Sequence, residues 1–377
     1  MPIIDPLINI ALLLLILVVL VVVHEFGHFV AARRANVRVH EFGIGFPPRA
    51  AVLARDHETI YSLNWLPLGG FVRLEGEEGV SRDPRAFVNQ PLWKRLIILL
   101  AGVAMNFLLA WLIFSIIAGA ADPTTAVRIA AVQDGSPADQ AGLVGGRPTQ
   151  KTPEGVQLYD DSGDLILAID GVRFPSFDDL RAADAPLRYL REHAGQTVTL
   201  TVQHANGSVE DVQATLRPAP EINERQGALG IQVGAFEPGD YLRRDPASAI
   251  VTGIDRTVDA SLLVLVELRN LVANLTAPNV AGPIGIVGAV AIARTELPPI
   301  FLLWLVGLLS ANLAVINVLP LPPMDGGRIA VNVVQAVTGN RISTALERAV
   351  YLAGFVFLII FLVWISYFDI QRLAEGG

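Results

Sequence analysis

The sequence contains no cysteine. Disulfides and thiolate metal sites are therefore excluded, and any metal must be held by His, Asp or Glu. Charge is also scarce. Only 17% of the 377 residues are Asp, Glu, Lys or Arg, against about 25% in soluble domains. The net charge of −8 removes the basic footprint that nucleic-acid binding requires. Ahead of the first apolar run there is no Lys or Arg, only Asp5. A cleaved signal peptide needs a basic n-region and a small-residue cleavage site, so this run reads as an uncleaved membrane span.

What the chain has in quantity is apolar sequence, 52% of all residues. Four runs approach the ~20 residues that cross a hydrocarbon core. They are Leu7 to Ala32, Leu96 to Ala121, Ile300 to Leu319 and Ala349 to Tyr367. Val251 to Val290 is only intermittently apolar, interrupted by Asp255, Arg256, Asp259, Glu267 and Arg269. It reads as an amphipathic interfacial helix followed by a loop, not a fifth span. The link between the first two spans is rich in Arg, from Arg33 to Arg95, and the link between the last two carries Arg328, Arg341 and Arg348. The positive-inside rule places both links in the cytoplasm and both termini outside it. The long segment between spans two and three then lies outside as well.

Near the inner end of the first span stands "HEFGH", His24 to His28. Residues at i and i+4 share a helix face, so two imidazoles can meet on one zinc ion while Glu25 reaches its water as general base. The alternative is a polar cluster snorkelling to the interface, which Arg33 and Arg34 fit better than His24, Glu25 and His28 do. Ionisable groups inside a span are costly and mark function.

A catalytic zinc takes three protein ligands and keeps a position open. The third is expected from "NVLPLPPMDGGR", where Pro320, Pro322 and Pro323 must break the third span just before Asp325. Irregular backbone at membrane depth is tolerated where it lines a wet cavity. At 1.5 Å per residue, His24 and Asp325 both lie roughly 25 Å or more along spans that start outside. The competing reading of Asp325 is a turn residue of an Asp-Gly pair.

These motifs together resemble the site-2 protease family of intramembrane zinc metalloproteases, most closely its bacterial RseP-like branch. "FGIGFPP" (Phe42 to Pro48) and "PLGGFVRLEGE" (Pro67 to Glu77) are similar to the family's cytoplasmic β-hairpin region. "AGVAMNF" (Ala101 to Phe107) resembles its AGPxxNF stretch, with Val103 in place of Pro, and "AGPIGI" (Ala281 to Ile286) its GPxxI segment. Met324 stands where the family usually has Leu before Asp-Gly. The resemblance implies zinc held by His24, His28 and Asp325, water activation by Glu25, and an unwound substrate backbone held by Asn312 and Asn317. The competing reading of the last two is interhelical hydrogen bonding; Asn106 could pack the second span near the metal, and interhelical hydrogen bonding is its competing reading as well. The resemblance also implies a multi-pass protein of the bacterial inner membrane. Its substrates would be single-span membrane proteins, such as anti-sigma factors or signal-peptide remnants, cleaved in regulated intramembrane proteolysis.

The expected fold is thus a polytopic α-helical membrane protein with a membrane-associated cytoplasmic β-hairpin region and one inserted extracytoplasmic PDZ domain. The divisions are 1–34 (first span), 35–95 (hairpin loop), 96–121 (second span), 122–218 (PDZ domain), 219–298 (linker and amphipathic helix), 299–328 (third span with Asp-Gly) and 329–377 (cytoplasmic link and fourth span). The PDZ resemblance rests on "GSPADQAGL", "GDLILAIDG" and the Asn206-Gly207 hairpin signal. Such a domain would take extracytoplasmic peptide tails by strand addition. Val144 to Ser162 is an unusual insertion and reads as a mobile loop; Gly69-Gly70 suggests a hairpin whose edge could pair with substrate. His40, His57, His193 and His204 are isolated and read as surface or packing residues. The rival function is a catalytically silent membrane-anchored PDZ scaffold or chaperone, which should lack Glu25 or a ligand. A zinc transporter would need metal sites on both sides of the bilayer.

Overall fold

The computed structural model describes residues 4–77, 81–151, 157–177, 185–223, 227–274, 280–339 and 343–374. Its described helices are α1 (Ile4–Arg34), α2 (Leu92–Ala120), α3 (Pro137–Gln140), α4 (Ala185–Glu192), α5 (Pro246–Ala273), α6 (Pro283–Thr295), α7 (Pro299–Val318), α8 (Asp325–Thr338) and α9 (Thr344–Ala374). The strands are β1 (Val39–Arg55), β2 (Ile60–Leu74), β3 (Asp122–Val132), β4 (Pro148–Lys151), β5 (Gln157–Tyr159), β6 (Leu165–Ile169), β7 (Thr197–Gln203), β8 (Val209–Thr215) and β9 (Ile231–Leu242). The chain divides into two compact units, one of residues 1–115 with 253–377 and one of residues 116–252.

The first unit joins a helical bundle to the β1–β2 sheet. Among the described residues, four helices are long and apolar enough to cross a membrane: Asp5–Arg34, Leu92–Ala120, Pro299–Val318 and Ala345–Ala374. Their apolar side chains divide between an inward set and an outward set, as expected when the surrounding solvent is lipid. Leu13, Ile16 and Leu20 of α1 are buried with Val290 of α6 and Leu305 of α7. Phe357, Ile360 and Val363 of α9 face outward. Polar clips fix the bundle. Asp369 of α9, almost wholly buried, accepts hydrogen bonds from the N–H groups of Gly282 and Gly285 at 3.1 and 2.8 Å and so caps α6. Four N–H groups at a helix start lack helical partners, and this carboxylate meets two of them. At the far end of α6, Arg294 donates to Asn9 of α1 at 2.8 Å. The loop expected after the amphipathic segment therefore contains a second helix. Its run of Ile, Val and Ala from Ile284 to Ala293 is too short to span and packs as a core element instead.

β1 and β2 form more than a simple hairpin. Each strand bends, so the register defines four segments in the order 49–55, 60–64, 39–46, 66–74. Glu41 pairs with both Ile60 and Arg73. Its buried carboxylate accepts from Arg49 at 2.6 Å and Arg73 at 2.7 Å. Burial alone would raise that carboxyl, but the Arg49 and Ser62 hydrogen bonds and the two arginine charges hold it below its usual value. Trp65, Leu66, Leu53 and Phe46 are exposed on this sheet. Its outer segment runs along α1, where Gly69 (φ +93°) leaves room for Val21, whose side chain lies 3.1 Å from where a Cβ would be.

The second unit is a five-stranded antiparallel sheet in the order β8-β7-β6-β3-β9. Alternation in "TVTLTVQ" buries Val198, Leu200 and Val202 in a core with Ile129, Ile166, Leu190 and Leu229. Ser136 caps α3 by accepting from the N–H of Asp139. The turn at Asn206-Gly207 joins β7 to β8, with Gly207 at φ +84°. The fifth strand, β9, lies in residues expected as linker. It pairs with β3 along its length, a contact between residues about a hundred positions apart that local pattern does not report. Within the insertion at 144–162, β4 pairs with β5 and Asp160 accepts from the N–H groups of Arg147 and Ser162. The described part of the expected mobile loop is thus a hydrogen-bonded hairpin, and residues 152–156 lie outside the described residues.

Candidate metal centre

The site is built from the helical period outward. On α1, His24 and His28 are one turn apart, both buried, with ring centroids 4.7 Å apart and edge to face. Their Nε2 atoms converge to 3.1 Å. After α7 the chain turns through Pro320, Pro322 and Pro323, and α8 begins at Asp325. Asp325 Oδ2 lies 2.9 Å from His24 Nε2 and 3.2 Å from His28 Nε2. Among the described residues this is the one group of three His, Asp or Glu side chains able to share an ion.

The donor set fits zinc. Two nitrogens and one carboxylate oxygen are the ligands of open, three-residue zinc sites. Ligand atoms bound at about 2.05 Å to a tetrahedral zinc stand roughly 3.3 Å from one another. The three edges here are 2.9, 3.1 and 3.2 Å. The tautomer also fits. His28 Nδ1 donates to the carbonyl of Ile98 at 2.7 Å, which leaves its Nε2 lone pair facing the other two ligand atoms. The helices must approach closely for this to happen. A Cβ at Gly102 of α2 would stand 2.5 Å from His28 Nε2, and one at Gly27 would stand 2.3 Å from the carbonyl oxygen of Ala101.

A cavity of about 440 Å³ opens onto these atoms. Glu25, Asn317, Gly70, Phe71 and Arg328 line it. Glu25 and the outer segment of the β1–β2 sheet share one wall; a Cβ at Gly70 would stand 3.9 Å from Glu25 Cγ. Asn317 thus faces the same space as Glu25, whereas Asn312, five residues earlier on α7, is absent from the cavity lining and holds a buried Oδ1 with no partner among the described residues. Asn106 sits behind His24 rather than beside the cavity, its Nδ2 3.4 Å from His24 Nδ1. Two further lining residues have no part in the site as read from the sequence, where Arg328 counts only as a topology charge. Arg328, one turn after Asp325, forms an ion pair with Glu77 at the end of the sheet. The i+3 spacing from Asp325 was the available signal for Arg328; nothing local signalled Glu77.

Residues 12–361, nearly the whole chain, match the family model for Peptidase family M50. The chain belongs to Peptidase family M50. A relative from Clostridium acetobutylicum is 29% identical across 96% of this chain and 97% of its own length. One from Nostoc sp. is 31% identical across 91% of both chains. Both are provisionally named as zinc metalloproteases. The zinc metalloprotease RasP of Oceanobacillus iheyensis is 26% identical across 94% of this chain and 97% of its own. M50 membership covers both the helix carrying His24 and His28 and the turn carrying Asp325.

Proposed function

We propose that this M50 peptidase is a membrane-embedded zinc endopeptidase of the site-2 type, with His24, His28 and Asp325 as ligands and Glu25 as general base. One observation carries the reading: two histidines on a helix apolar enough to span a membrane and Asp325 at the start of α8 bring three ligand atoms into a triangle of zinc dimensions, with Glu25 on the same cavity. When bound, zinc supplies the Lewis acidity that activates a water and polarises the scissile carbonyl. Glu25 accepts the proton of that water and returns it to the leaving amine. The burial of the histidines excludes bulk solvent and strengthens each charge interaction in the cavity.

A helical substrate must open before it can be cut, and its freed N–H and C=O groups then need partners. Asn317 offers both a donor and an acceptor at the cavity wall. The outer segment 66–74 offers more: one edge pairs with residues 39–46, and among the described residues no strand takes the other. It lies beside Glu25, which supports substrate pairing by strand addition. Asn312 has a buried, unpartnered carbonyl but lies off the cavity, so it serves the substrate only if the bundle loosens at α7.

The favoured substrates are single-span membrane proteins, with the arginine-rich links in the cytoplasm and both termini outside it. The second unit is read as a PDZ domain for extracytoplasmic tails. A groove of about 290 Å³ supports this, lined by Leu187, Leu190, Leu229, Ile231 and Val233 between α4 and the start of β9.

The test compares wild type, His24→Ala, Asp325→Ala and Glu25→Gln after purification in detergent, each assayed for zinc content and for cleavage of a single-span reporter. Wild type should hold one zinc and cleave, and a chelator should abolish cleavage until zinc is restored. The ligand variants should lose zinc. Glu25→Gln should keep zinc and lose cleavage. Cleavage retained by Glu25→Gln would refute the general-base assignment, and zinc retained by Asp325→Ala would move the third ligand elsewhere.

A further inference from the structure

The two imidazoles of the centre differ in how their outer nitrogens are held. His28 Nδ1 has an acceptor of fixed identity, the backbone carbonyl of Ile98 at 2.7 Å. His24 Nδ1 faces the side-chain amide of Asn106, with Nδ2 at 3.4 Å. Asn106 is fully buried, and its Oδ1 has no hydrogen-bond partner among the described residues. The oxygen and nitrogen of an amide have the same shape, and only their partners tell them apart. Exchanging them turns Oδ1 onto His24 Nδ1. The ring then carries its proton on Nδ1 and presents the bare Nε2 lone pair to His28 and Asp325. The exchange leaves Nδ2 as the unpartnered end in place of Oδ1; what favours it is the ligand's tautomer, since His24 then reaches the state that His28 has through Ile98.

We infer that Asn106 is a positioning residue for the metal centre, its side-chain oxygen accepting from His24 Nδ1 to fix the tautomer and the plane of that ligand. The inference rests on the ligand assignment above. Its place in the fold supports it. Asn106 is on α2, one turn beyond Gly102, the residue whose missing Cβ admits both imidazoles. Its own backbone carbonyl accepts from Ser310 Oγ of α7 at 2.8 Å. That bond ties α2 to α7 through the main chain, so a side-chain substitution leaves it intact. The packing role and the hydrogen-bond role of Asn106 are therefore separable. Outer partners of metal-bound histidines typically contribute about 10- to 100-fold to metal affinity.

The experiment is zinc titration of detergent-purified full-length protein against a competing chelator. Wild type, His24→Ala, Asn106→Leu and Asn106→Asp are compared, each also followed by thermal unfolding. Leu keeps the volume without an acceptor. Asp supplies an acceptor without a donor. We expect Asn106→Leu to bind zinc about 10- to 100-fold more weakly, and Asn106→Asp to bind within a few-fold of wild type or tighter. If Asn106 only packs, the order reverses, because Leu is neutral there and a buried carboxylate is not. Wild-type zinc affinity in Asn106→Leu, or an Asp variant weaker than the Leu variant, would overturn the inference. Should Asn106→Leu fail to fold, the Asp variant alone decides, since a fold that needs the donor cannot be rescued by it. A wild type that binds zinc no better than His24→Ala would instead refute the ligand assignment itself.

Discussion

Gly102→Ala adds one methyl group where two metal-binding candidates meet the neighbouring helix. The new Cβ would stand 2.5 Å from His28 Nε2, 2.7 Å from His28 Cε1 and 2.8 Å from His24 Cε1. Uncompressed contacts of this kind lie near 3.5 Å, so roughly 1 Å of movement is needed. Moving α2 away from α1 is opposed by Gly27, whose own missing Cβ lets Ala101 and Met105 approach. The imidazoles must therefore give way, and ligand distances at a metal site tolerate only about 0.2 Å. Two terms oppose each other in stability. Ala is better than Gly in a helix interior by roughly 0.8–1.0 kcal/mol, while overpacking costs about 1–3 kcal/mol. The net change in fold stability is then about 0–2 kcal/mol unfavourable. Zinc affinity, which depends on ligand placement, should fall by at least about tenfold, equivalent to about 1.4 kcal/mol. Chelator competition and a thermal melt on the same preparation measure the two separately. A Gly102→Ala protein that melts higher and binds zinc as tightly as wild type would refute the packing argument, because helix propensity would then have acted unopposed.

Three further outcomes follow from contacts elsewhere in the molecule. Glu77 and Arg328 are an ion pair at the cavity wall; removing either partner should destabilise by about 1–3 kcal/mol, and the double variant should cost less than the sum, which a double-mutant cycle in denaturant measures. His204 of the second unit sits between Asp164 at 2.8 Å and Glu210 at 3.0 Å, and its hydrogen bonds to these carboxylates, Asp164 first, raise its pKa. Its contribution to stability is full below the unfolded value of about 6.5 and is lost as pH rises through the raised folded value. Denaturation between pH 6 and 9, read by a fluorophore on Glu192→Cys in this cysteine-free chain, should show the loss in wild type and not in His204→Gln. Finally, Asp369→Ala removes the acceptor for the N–H groups of Gly282 and Gly285 and should destabilise by about 1–3 kcal/mol; an unchanged melting temperature would mean that α6 is held by its apolar face alone.

How far the sequence could be read depends on the range of the signal. The apolar runs that became α1, α2, α7 and α9 are local, continuous and about a span long, so their existence was legible, with ends within about four residues except in α9, which runs five residues earlier and seven later than its apolar core. HEFGH was legible for the same reason, since an i, i+4 pair needs only the helical period. Asp325 was legible as a helix-breaking segment followed by a carboxylate, but its convergence on His24 is a contact across 301 positions that no period encodes. The strand β9 was missed because its pairing with β3 is also remote, across about a hundred positions. The doubling of the β1–β2 sheet was missed because it follows from bends within strands, at Gly45 (φ +78°) among others. Asn106 was legible as the Asn of AGVAMNF, a polar residue in an apolar span that could pack near the metal, but not as a partner of His24. Its facing nitrogen became visible when α1 and α2 were brought together at Gly27 and Gly102.

The pairing of β3 with β9 bears on how such a chain could have been assembled. Asp122 and Leu242, the first residue of β3 and the last of β9, are direct neighbours across that ladder, and facing residues of an antiparallel pair stand only about 4.5–5.5 Å apart. In the first unit, the two residues that border the interruption are also adjacent: a Cβ on Gly253 would collide with Ser115. Each unit therefore closes on itself wherever the other is cut out. A cassette with that property can be gained, duplicated or lost by recombination, and its host need build no new connection beyond a short turn.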